Sequence, residues 1–452
     1  MGIATPVHPS GRALESRTLS FGALLALGVL LGVGVASAFD RTSPPLALLI
    51  VGVAGLFVTL ALALARYDVA VATGLVLLAA DKFEPAPPDA VFAVVITVAL
   101  VTGRFELSRA PLVVIALVGS FLVLNVVSAV DALDPARAAA FFSITLYLCV
   151  FALWFTGYLG SVRRAHLVVV AYVAGAVASA ALGTLSLTTG VASGSLTAYD
   201  ATRASGLFKD PNVFGPFLVP AALILLEETL RPRLLRRRPF FHRLLFLILV
   251  VGVLFSYSRG AWLNLVVGTV MMLVVLALRR RSGGGALGML LIIVLAGSAV
   301  AGTVAFTESA PLIQERAQRQ SYDTDRFGAQ RRGVELGSEH PVGIGPGQFE
   351  IRSPLSTHST YVRVLAEQGV LGFVSLVGLF LATLIFALRN AGLGRDTFGV
   401  GSAALLGAWC GILVNSLVVD TLHWRHLWFV AAMIWVAAAA RSLRGGRSAA
   451  PG

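Results

Sequence analysis

Residues 244–278 read LLFLILVVGVLFSYSRGAWLNLVVGTVMMLVVLAL, two apolar runs joined by the short polar turn SYSRGAW. A helix needs about 20 residues to cross the roughly 30 Å of hydrocarbon in a bilayer, and the second run alone has nearly that length. The turn leaves no room for a soluble domain between the runs. The stretch therefore predicts two antiparallel membrane-spanning helices, with Arg259 at the turn between them.

The composition of the whole chain agrees with this stretch. Of 452 residues, 57% are hydrophobic and 13% are charged, and the mean hydropathy is +0.85. A soluble globular protein carries about twice that charged fraction, so soluble, disordered and collagen-like chains are all excluded. The two cysteines, Cys149 and Cys410, lie inside apolar runs and cannot form a disulfide framework. The class that remains is a polytopic membrane protein.

Apolar runs that fit membrane spans recur along the chain. They are Leu19–Phe39, Pro45–Ala65, Pro111–Val130, Ala138–Tyr158, Leu167–Thr189, Pro211–Leu230, Leu244–Ser256, Gly260–Leu278, Ala286–Phe306, Thr360–Leu388, Phe398–Val419 and Leu427–Ala440. Two shorter runs, Asp68–Ala80 and Ala90–Thr102, flank the proline-rich turn DKFEPAPPD and fit either two short spans or a re-entrant hairpin. The sequence therefore predicts an all-α polytopic transmembrane helix bundle of 12–14 spans.

Charge predicts the orientation of the bundle. With the N-terminus in the cytoplasm, the inner segments are strongly basic, above all RPRLLRRRPFFHR at 231–243 and RRR at 279–281, whereas the outer segments are slightly acidic. Cytoplasmic loops of membrane proteins carry an excess of Lys and Arg, so an even number of spans places both termini in the cytoplasm. A cleaved signal peptide ending at Ala36-Ser37-Ala38 is the alternative, but its removal would leave an odd number of spans.

These spans define a linear organisation. A cytoplasmic tail at 1–18 is followed by the first part of the bundle at 19–306, a long outer loop at 307–357, the last part of the bundle at 358–440 and a cytoplasmic tail at 441–452. The long loop contains GIGPGQF, which lacks the Lys-Ser/Thr ending and the parallel-sheet context of a nucleotide-binding loop. Its glycines favour positive-φ turns and close backbone approach instead. Metal-ligand spacings are absent too, so neither a metal nor a cofactor is expected.

Polar and charged groups gather at the outer ends of the spans. They are Arg203 before one span, Arg259 in the SYSRGAW turn, Arg326 in the long loop, His358 at the start of the next span and Asp420 at the last outer turn. Charges beside a bilayer are costly, so such residues usually bind a ligand or form ion pairs. Their convergence on one membrane face predicts a site that faces outward at the lipid boundary.

Several of these residues also have a plainer interpretation. Arg259 fits an interfacial anchor whose stem lies in the bilayer, and Arg203 fits a local salt bridge to Asp200 or Asp210. An interfacial aromatic belt accounts for four residues of the last outer turn, which are His423, Trp424, His426 and Trp428.

His358 has such an interpretation as well. It fits the start of a helix whose N-cap is Ser356 or Thr357, because serine and threonine are favoured at that position. For an isolated histidine, a structural role of this kind is the more common one.

Four segments together resemble the O-antigen ligase and O-antigen polymerase superfamily. They are, in chain order, TRASGLFKDPNVFG at 202–215, SYSRGAW at 256–262, DRFGAQRRGVELGSEHPVGIGPGQF at 325–349 and HSTYVRVLAEQGVLG at 358–372. The similarity runs from about Tyr199 to Arg425, half of the chain. Its most specific part is the spacing from His358 to Gly369 and Gly372.

The resemblance implies a metal-independent glycosyltransferase at the outer face of the bacterial cytoplasmic membrane. Its donor would be a glycan on polyprenyl diphosphate, and its acceptor a lipid-anchored sugar, another glycan or a protein. Carried over by motif, His358 matches the family's essential loop histidine, which would act as the general base. Arg203 and Arg259 match arginines that hold the donor diphosphate, and Asp420 matches an acidic residue near the last outer turn. Arg326 joins this expected substrate-binding set.

The chain departs from the family pattern at two points. Ser359 stands where many relatives have asparagine after the histidine. The pair of short spans near the start would bring the total number of spans above the twelve of the ligases. In addition, no soluble domain of the kind found in some protein-glycosylating relatives is appended.

Other functions remain open at this point. A polymerase of the same superfamily would use the same donor and a different acceptor, and the sequence does not separate it from a ligase. A polysaccharide or lipid transporter would keep its site near the bilayer midplane, where this chain has few charges. A purely structural scaffold leaves the arginine- and glycine-rich outer loop unexplained. No nucleic-acid partner is expected, because the net charge of +12 follows from membrane orientation.

Overall fold

The computed structural model describes residues 46–82, 86–192, 196–198, 202–235, 239–279 and 322–439. The expected spans Leu19–Phe39 and Ala286–Phe306 and both expected tails lie outside these residues.

Fourteen α-helices run through the described part of the chain. They are α1 (Leu46–Ala65), α2 (Tyr67–Leu77), α3 (Pro87–Val101), α4 (Leu112–Ser128), α5 (Pro135–Tyr158), α6 (Val162–Thr189), α7 (Pro211–Leu230), α8 (Pro239–Phe255), α9 (Arg259–Arg279), α10 (Tyr322–Glu339), α11 (Phe349–Arg352), α12 (Thr360–Gly392), α13 (Ser402–Asn415) and α14 (Arg425–Ala439). Two-residue strands β1 (Thr197–Ala198) and β2 (Arg203–Ala204) form an antiparallel hairpin in which Ala198 pairs with Arg203. The all-α fold predicted from the sequence is confirmed.

Six of these helices are long and apolar enough to cross a bilayer. They are α4 with the 3₁₀ turn that follows it, α5, α6, α7, α9 and α12, and six shorter apolar helices accompany them within the described residues. The chain is therefore a multi-pass membrane protein.

Helix α13 is shorter than the predicted span Phe398–Val419. Thr397 and Val400 pair through their backbones in a tight turn before the helix, and the N–H groups of Val418 and Val419 bond to the carbonyl of Asn415 in the turn after it. The turn before the helix and the bond from Val418, which reaches back three residues instead of four, depart from the α-helical hydrogen-bond pattern, and α13 extends only over Ser402–Asn415.

The polar outer segment is partly helical. The sequence predicts a loop from 307 to 357, yet α10 covers Tyr322–Glu339 and the short α11 covers Phe349–Arg352. Helix α10 packs along the start of α12, so it is held close to the end of the bundle rather than extending into solvent.

The segment at 68–102 forms two separate helices, α2 and α3, of 11 and 15 residues. At 1.5 Å per residue, each is shorter than the roughly 30 Å of a full crossing. The turn between them reaches the last outer turn of the chain, because Asp81 and Asp89 both pair with Arg425. This proline-rich turn is therefore part of the surroundings of the site.

Helices α9 and α13 lie antiparallel with their backbones almost in contact. A Cβ atom on Gly407 would overlap the carbonyl oxygen of Gly268, and one on Gly260 would lie 2.5 Å from Oδ1 of Asn415. Only glycine permits this approach, as in other closely packed membrane helices. The contact fixes the start of α9, which carries Arg259, against the turn that follows α13.

Helix α12 is broken at Gly369, whose φ of 69° and ψ of −171° lie outside the helical region. The N–H groups of Ile344 and Gly345 donate to the carbonyls of Ala366 and Glu367 at 3.0 and 2.9 Å. The break frees these carbonyls from the helix, and inside a membrane protein a freed backbone group needs another partner.

The GIGPGQF segment supplies those partners because its glycines allow the chains to touch. Gly343, Gly345 and Gly347 all have positive φ. A Cβ on Gly343 would overlap the carbonyl of Glu367, and one on Gly369 would overlap the carbonyl of Pro341. The expectation that these glycines serve turns and close backbone approach is confirmed.

Candidate active site

A cavity of about 700 Å³, called here the main cavity, opens between the starts of α7, α9 and α12 and the side of α10. Its polar lining includes Arg203, Asn212, Tyr257, Arg259, Arg326 and His358. Four of the five predicted site residues thus line one cavity, although they come from four separate stretches of the chain. The fifth, Asp420, is not in its lining.

Arg203 enters the main cavity from the β hairpin. It is only 5% exposed, its Nε donates to the carbonyl of Ser256 at 2.8 Å, and its Nη2 donates to Oδ1 of Asn212 at 3.0 Å. A buried guanidinium needs such partners. Because Ser256 belongs to SYSRGAW, this contact joins the first two segments of the resemblance.

Arg259 is the first residue of α9. The turn before it is tight, with φ of 47° at Tyr257 and a hydrogen bond of 3.2 Å from the N–H of Ser258 to Oγ of Ser256. Gly260 packs against Asn415, so the helix start cannot shift away from the cavity. Arg259 is therefore held at the wall of the main cavity by the backbone of its own turn.

Helix N-termini add to the positive character of the main cavity. Asn212 lies in the first turn of α7, Arg259 begins α9, and His358 lies two residues before α12. The first N–H groups of each helix point out of its end, and the helix dipole is positive there. Among the described residues, the lining has three arginines, these helix ends and one carboxylate, that of Asp325. The arrangement favours an anionic ligand.

His358 occupies a backbone position that few side chains adopt, with φ of 46°. Its carbonyl accepts a hydrogen bond of 3.4 Å from Nε2 of Gln330, which also donates to the carbonyl of Leu417 at 3.3 Å. Gln330 thus ties α10 to both turns that border the cavity. Non-glycine residues in this conformation are strained and concentrate at functional sites.

The helix after His358 is capped by a residue other than those predicted. Ser359, rather than Ser356 or Thr357, accepts the hydrogen bond from the N–H of Val362, and its own Oγ donates to the carbonyl of Ser416. Serine and asparagine are both favoured N-cap residues, so the departure from asparagine at this position preserves the helix start.

The surroundings of His358 favour a neutral imidazole. Burial lowers its pKa below the usual 6.5, and the positive charge of Arg326 lowers the pKa further, whereas the carboxylates of Asp210 and Asp420 act in the opposite direction. A neutral imidazole near pH 7 can accept a proton.

One wall of the main cavity is apolar. It is formed by Leu263 of α9, Phe327 of α10, Leu355 and Val418. All four side chains are substantially exposed, and Phe327 is 58% exposed. The cavity therefore has a charged side and an apolar side, which suits a ligand with an anionic head and a lipid chain.

Asp420 is held by Arg363, a residue that the sequence reasoning missed. Nε of Arg363 lies 2.6 Å from Oδ2 of Asp420, and the same guanidinium contacts Glu350 and, at 3.0 Å, Glu367. A charge within a predicted span was the available signal, because charges in spans are usually paired or functional. Asp420 therefore contributes to a buried ion cluster behind the main cavity.

That ion cluster also fixes the GIGPGQF segment. Glu367 accepts hydrogen bonds from the N–H of Gly347 at 2.9 Å and of Phe349 at 3.2 Å. Gln348 is fully buried, with its side-chain amide bonded to both backbone groups of Asp134 at the start of α5. The segment therefore serves to dock the outer loop onto α5 and α12.

The last outer turn is not an interfacial aromatic belt, contrary to the expectation. Trp428 and His426 are each 1% exposed and Trp424 is 6% exposed. His423 shares a hydrogen bond of 3.0 Å with Oγ1 of Thr145, and burial lowers its pKa to about 4. Side chains of an aromatic belt would meet the headgroups, whereas these pack inside the protein.

A smaller cavity of about 200 Å³, called here the side cavity, lies at this turn. Its lining includes Asp81, Phe208, Val213, Asp420, Trp424 and His426. Within the described residues, no group of three or more His, Cys, Asp or Glu side chains could hold a metal ion.

The fold and the main cavity together define a polytopic membrane protein with a cation-lined cavity at one end of its helix bundle. Residues 244–377 match the family model described as O-Antigen ligase. This part of the chain is thus similar to the O-antigen ligase family, which supports the resemblance. No curated protein matches the chain.

The matched residues include most of the main cavity's predicted set. Arg259, Arg326 and His358 lie inside the match, whereas Arg203 and Asp420 lie outside it. The match suggests a glycosyltransferase-like enzyme.

Proposed function

We propose that this protein is an outer-face glycosyltransferase that moves a glycan from polyprenyl diphosphate to an acceptor hydroxyl. The observation that carries the proposal is that His358 and three arginines, from four separate stretches of the chain, line one cavity. Together with the family domain, this brings a base and an anion-binding set to a common space.

In this proposal Arg203, Arg259 and Arg326 hold the diphosphate of the donor. The anomeric C–O bond breaks in the reaction, and negative charge develops on the departing diphosphate. Arginine stays protonated and pairs with phosphate through two N–H groups, so the three guanidiniums stabilise this charge where many transferases use a divalent cation.

His358 acts as the general base. The acceptor hydroxyl forms the new bond to the anomeric carbon and gives its proton to the imidazole, and the attack from the opposite face inverts the configuration. The lowered pKa of His358 leaves the imidazole neutral at pH 7, ready to accept the proton. A positioned general base contributes roughly 10²–10⁴-fold to such a rate.

The apolar wall suits the polyprenyl chain of the donor. Leu263 lies in the first turns of α9, and Val266 and Val270 continue its exposed face down the helix. A lipid chain could leave the main cavity along this face and enter the bilayer without passing through water.

The two ends of α7 support an orientation in which the main cavity lies outside the cytoplasm. Its first turn, with Asn212, lines the main cavity, and the basic segment at 231–243 follows its last residue, Leu230. A helix of 20 residues is about 30 Å long, so the cavity and the basic segment lie near opposite membrane faces. Since basic segments stay in the cytoplasm, the main cavity would face outward.

Glycan profiling of a bacterial strain that lacks the protein tests this function. A ligase predicts that full-length lipid-linked glycans accumulate, and a polymerase predicts that single repeat units accumulate. Expression of the wild-type chain should restore the surface glycan, and the His358→Ala variant should not. Unchanged lipid-linked glycans in the deletion strain would refute the proposed function.

A further inference from the structure

The side cavity and the main cavity are adjacent at two places on the backbone. At one of them, Asn212 lines the main cavity and its neighbour Val213 lines the side cavity. At the other, Val419 lines the main cavity and its neighbour Asp420 lines the side cavity. A ligand group in the side cavity is therefore within one residue's width of the space that holds His358.

The two cavities differ in charge. Three arginines and one carboxylate line the main cavity, whereas Asp81 and Asp420 line the side cavity with Arg425 as its guanidinium. Arg425 is already paired with Asp81 and Asp89. Both carboxylates of the side cavity are already paired, Asp81 with Arg425 and Asp420 with Arg363, so an anion there would find no available cationic partner and the cavity favours a neutral polar ligand.

His426 provides the polar group that points to a ligand. It lines the side cavity and is 1% exposed, yet its Nε2 has no hydrogen-bond partner among the described residues. A buried polar atom without a partner is costly and rare in native proteins. Nε2 of a neutral imidazole is either a donor or an acceptor, depending on the tautomer, and a hydroxyl can complement either one.

The remaining lining fits the faces of a sugar ring. Phe208 and Trp424 line the side cavity, and the ring of Trp424 stacks on His426 with centroids 4.9 Å apart. The volume of about 200 Å³ corresponds to roughly six water molecules at about 30 Å³ each. It is therefore large enough for one sugar ring and too small for a glycan chain.

We propose that the side cavity is an acceptor subsite, which binds one neutral sugar ring of the acceptor and directs its reacting hydroxyl toward the main cavity. His426 hydrogen-bonds a hydroxyl of this ring, and Phe208 and Trp424 contact its faces. The inference rests on the proposed glycosyl transfer and adds to it the place and the chemical class of the acceptor group.

Transfer kinetics of two side-cavity variants test the subsite. The full-length chain is reconstituted with donor and acceptor fractions from the deletion strain, whose lipid extract contains the unused lipid-linked glycan and the unmodified acceptor. Val213→Phe fills the side cavity, and His426→Leu removes its hydroxyl partner. Val123→Phe, at a position that is 62% exposed on α4 and lines neither cavity, is the matched control.

Both side-cavity variants should raise the KM for the acceptor by at least about tenfold, the effect of one lost hydrogen bond or a comparable steric conflict. The KM for the donor should change less than twofold, and Val123→Phe should change neither constant. Thermal unfolding is measured beside the kinetics, and Val213→Leu replaces Val213→Phe if the larger side chain prevents folding.

Three results would overturn the subsite. An unchanged acceptor KM in both variants would mean that the side cavity holds only water. A donor KM that rises in step with the acceptor KM would make the cavity part of the donor site. Absence of any transfer by the wild-type chain would instead refute the proposed function, and the subsite with it.

Discussion

His358 has a strained backbone conformation and a lowered pKa. Its φ of 46° is one that glycine adopts freely, so His358→Gly removes the imidazole while the backbone keeps its shape. We expect both His358→Ala and His358→Gly to lose roughly 10²–10⁴-fold in transfer rate, the contribution of a general base. The measurement is turnover in proteoliposomes, with the thermal midpoint of each variant beside it.

His166→Ala is the control for that loss. His166 lies exposed at the start of α6, away from both cavities, and its removal should leave turnover unchanged. If His358→Gly turns over at the wild-type rate, His358 has no catalytic role.

The pH profile tests the protonation of His358. A base works above its pKa, and burial, followed by the charge of Arg326, lowers this pKa below 6.5. The acidic limb of kcat/KM should therefore lie below pH 6.5 in the wild type. Arg326→Gln removes a positive charge, which raises the pKa of His358. The acidic limb should therefore move to higher pH, even if the maximum of kcat/KM also falls.

Arg331→Gln is the matched control for this shift. Arg331 is an exposed arginine of the same helix, and it does not line the main cavity. A limb that stays in place in Arg326→Gln, or moves equally in Arg331→Gln, would contradict the proposed coupling between Arg326 and His358.

Arg259 distinguishes diphosphate binding from membrane anchoring. Lysine keeps the charge of arginine and can serve as an anchor, but it cannot form the paired contact with a phosphate. We expect Arg259→Lys to lose most of its transfer activity, with an increased KM for the donor, and Arg331→Lys to retain both. Wild-type kinetics in Arg259→Lys would support the anchor interpretation.

At the scale of elements, one guanidinium joins three segments of the chain. Arg363 of α12 pairs with Glu350 of α11, with Glu367 one turn further along α12 and with Asp420 of the last outer turn. Arg363 is 4% exposed, so its removal would leave three carboxylates poorly compensated. Loss of one partner from a buried ion pair costs about 3–5 kcal/mol in the free energy of unfolding.

Arg363→Met should therefore lower the free energy of unfolding by about that amount, as measured by denaturant titration in detergent micelles. Arg332→Met serves as the comparison, because Arg332 forms exposed pairs with Glu335 and Glu339 and its side chain is 44% exposed. Arg332→Met should change the free energy of unfolding by no more than about 0.5 kcal/mol. Equal stability of the two variants would mean that the cluster does not hold these segments together.

The sequence predicts elements better than it predicts their contacts. Apolar runs located the helices, and the glycines of GIGPGQF predicted positive-φ turns, because both depend on neighbouring residues alone. The break at Gly369 did not follow from the sequence, since it is stable only with the N–H groups of Ile344 and Gly345 beside it. Those partners are brought there by the fold, not by proximity along the chain.

The candidate site shows the same limit at the scale of the whole molecule. The order of the motifs along the chain predicted a common site for Arg203, Arg259, Arg326 and His358. The fold brings these four residues to one cavity. The ion pair of Asp420 with Arg363 did not follow from the sequence, because it depends on how α12 meets the last outer turn. The side cavity was missed for a similar reason, since its lining comes from distant turns and its aromatic residues resembled a membrane belt.

The whole molecule should transfer a glycan without a metal ion or an ion gradient. The direct measurement uses proteoliposomes that contain the purified chain, the lipid-linked donor, the acceptor and an excess of EDTA. The wild type should form the transfer product and release polyprenyl diphosphate at the same rate with and without EDTA, and His358→Gly should do both at least about 10²-fold more slowly. Product that forms only with a divalent cation or an imposed gradient, or that forms equally in His358→Gly, would contradict this prediction.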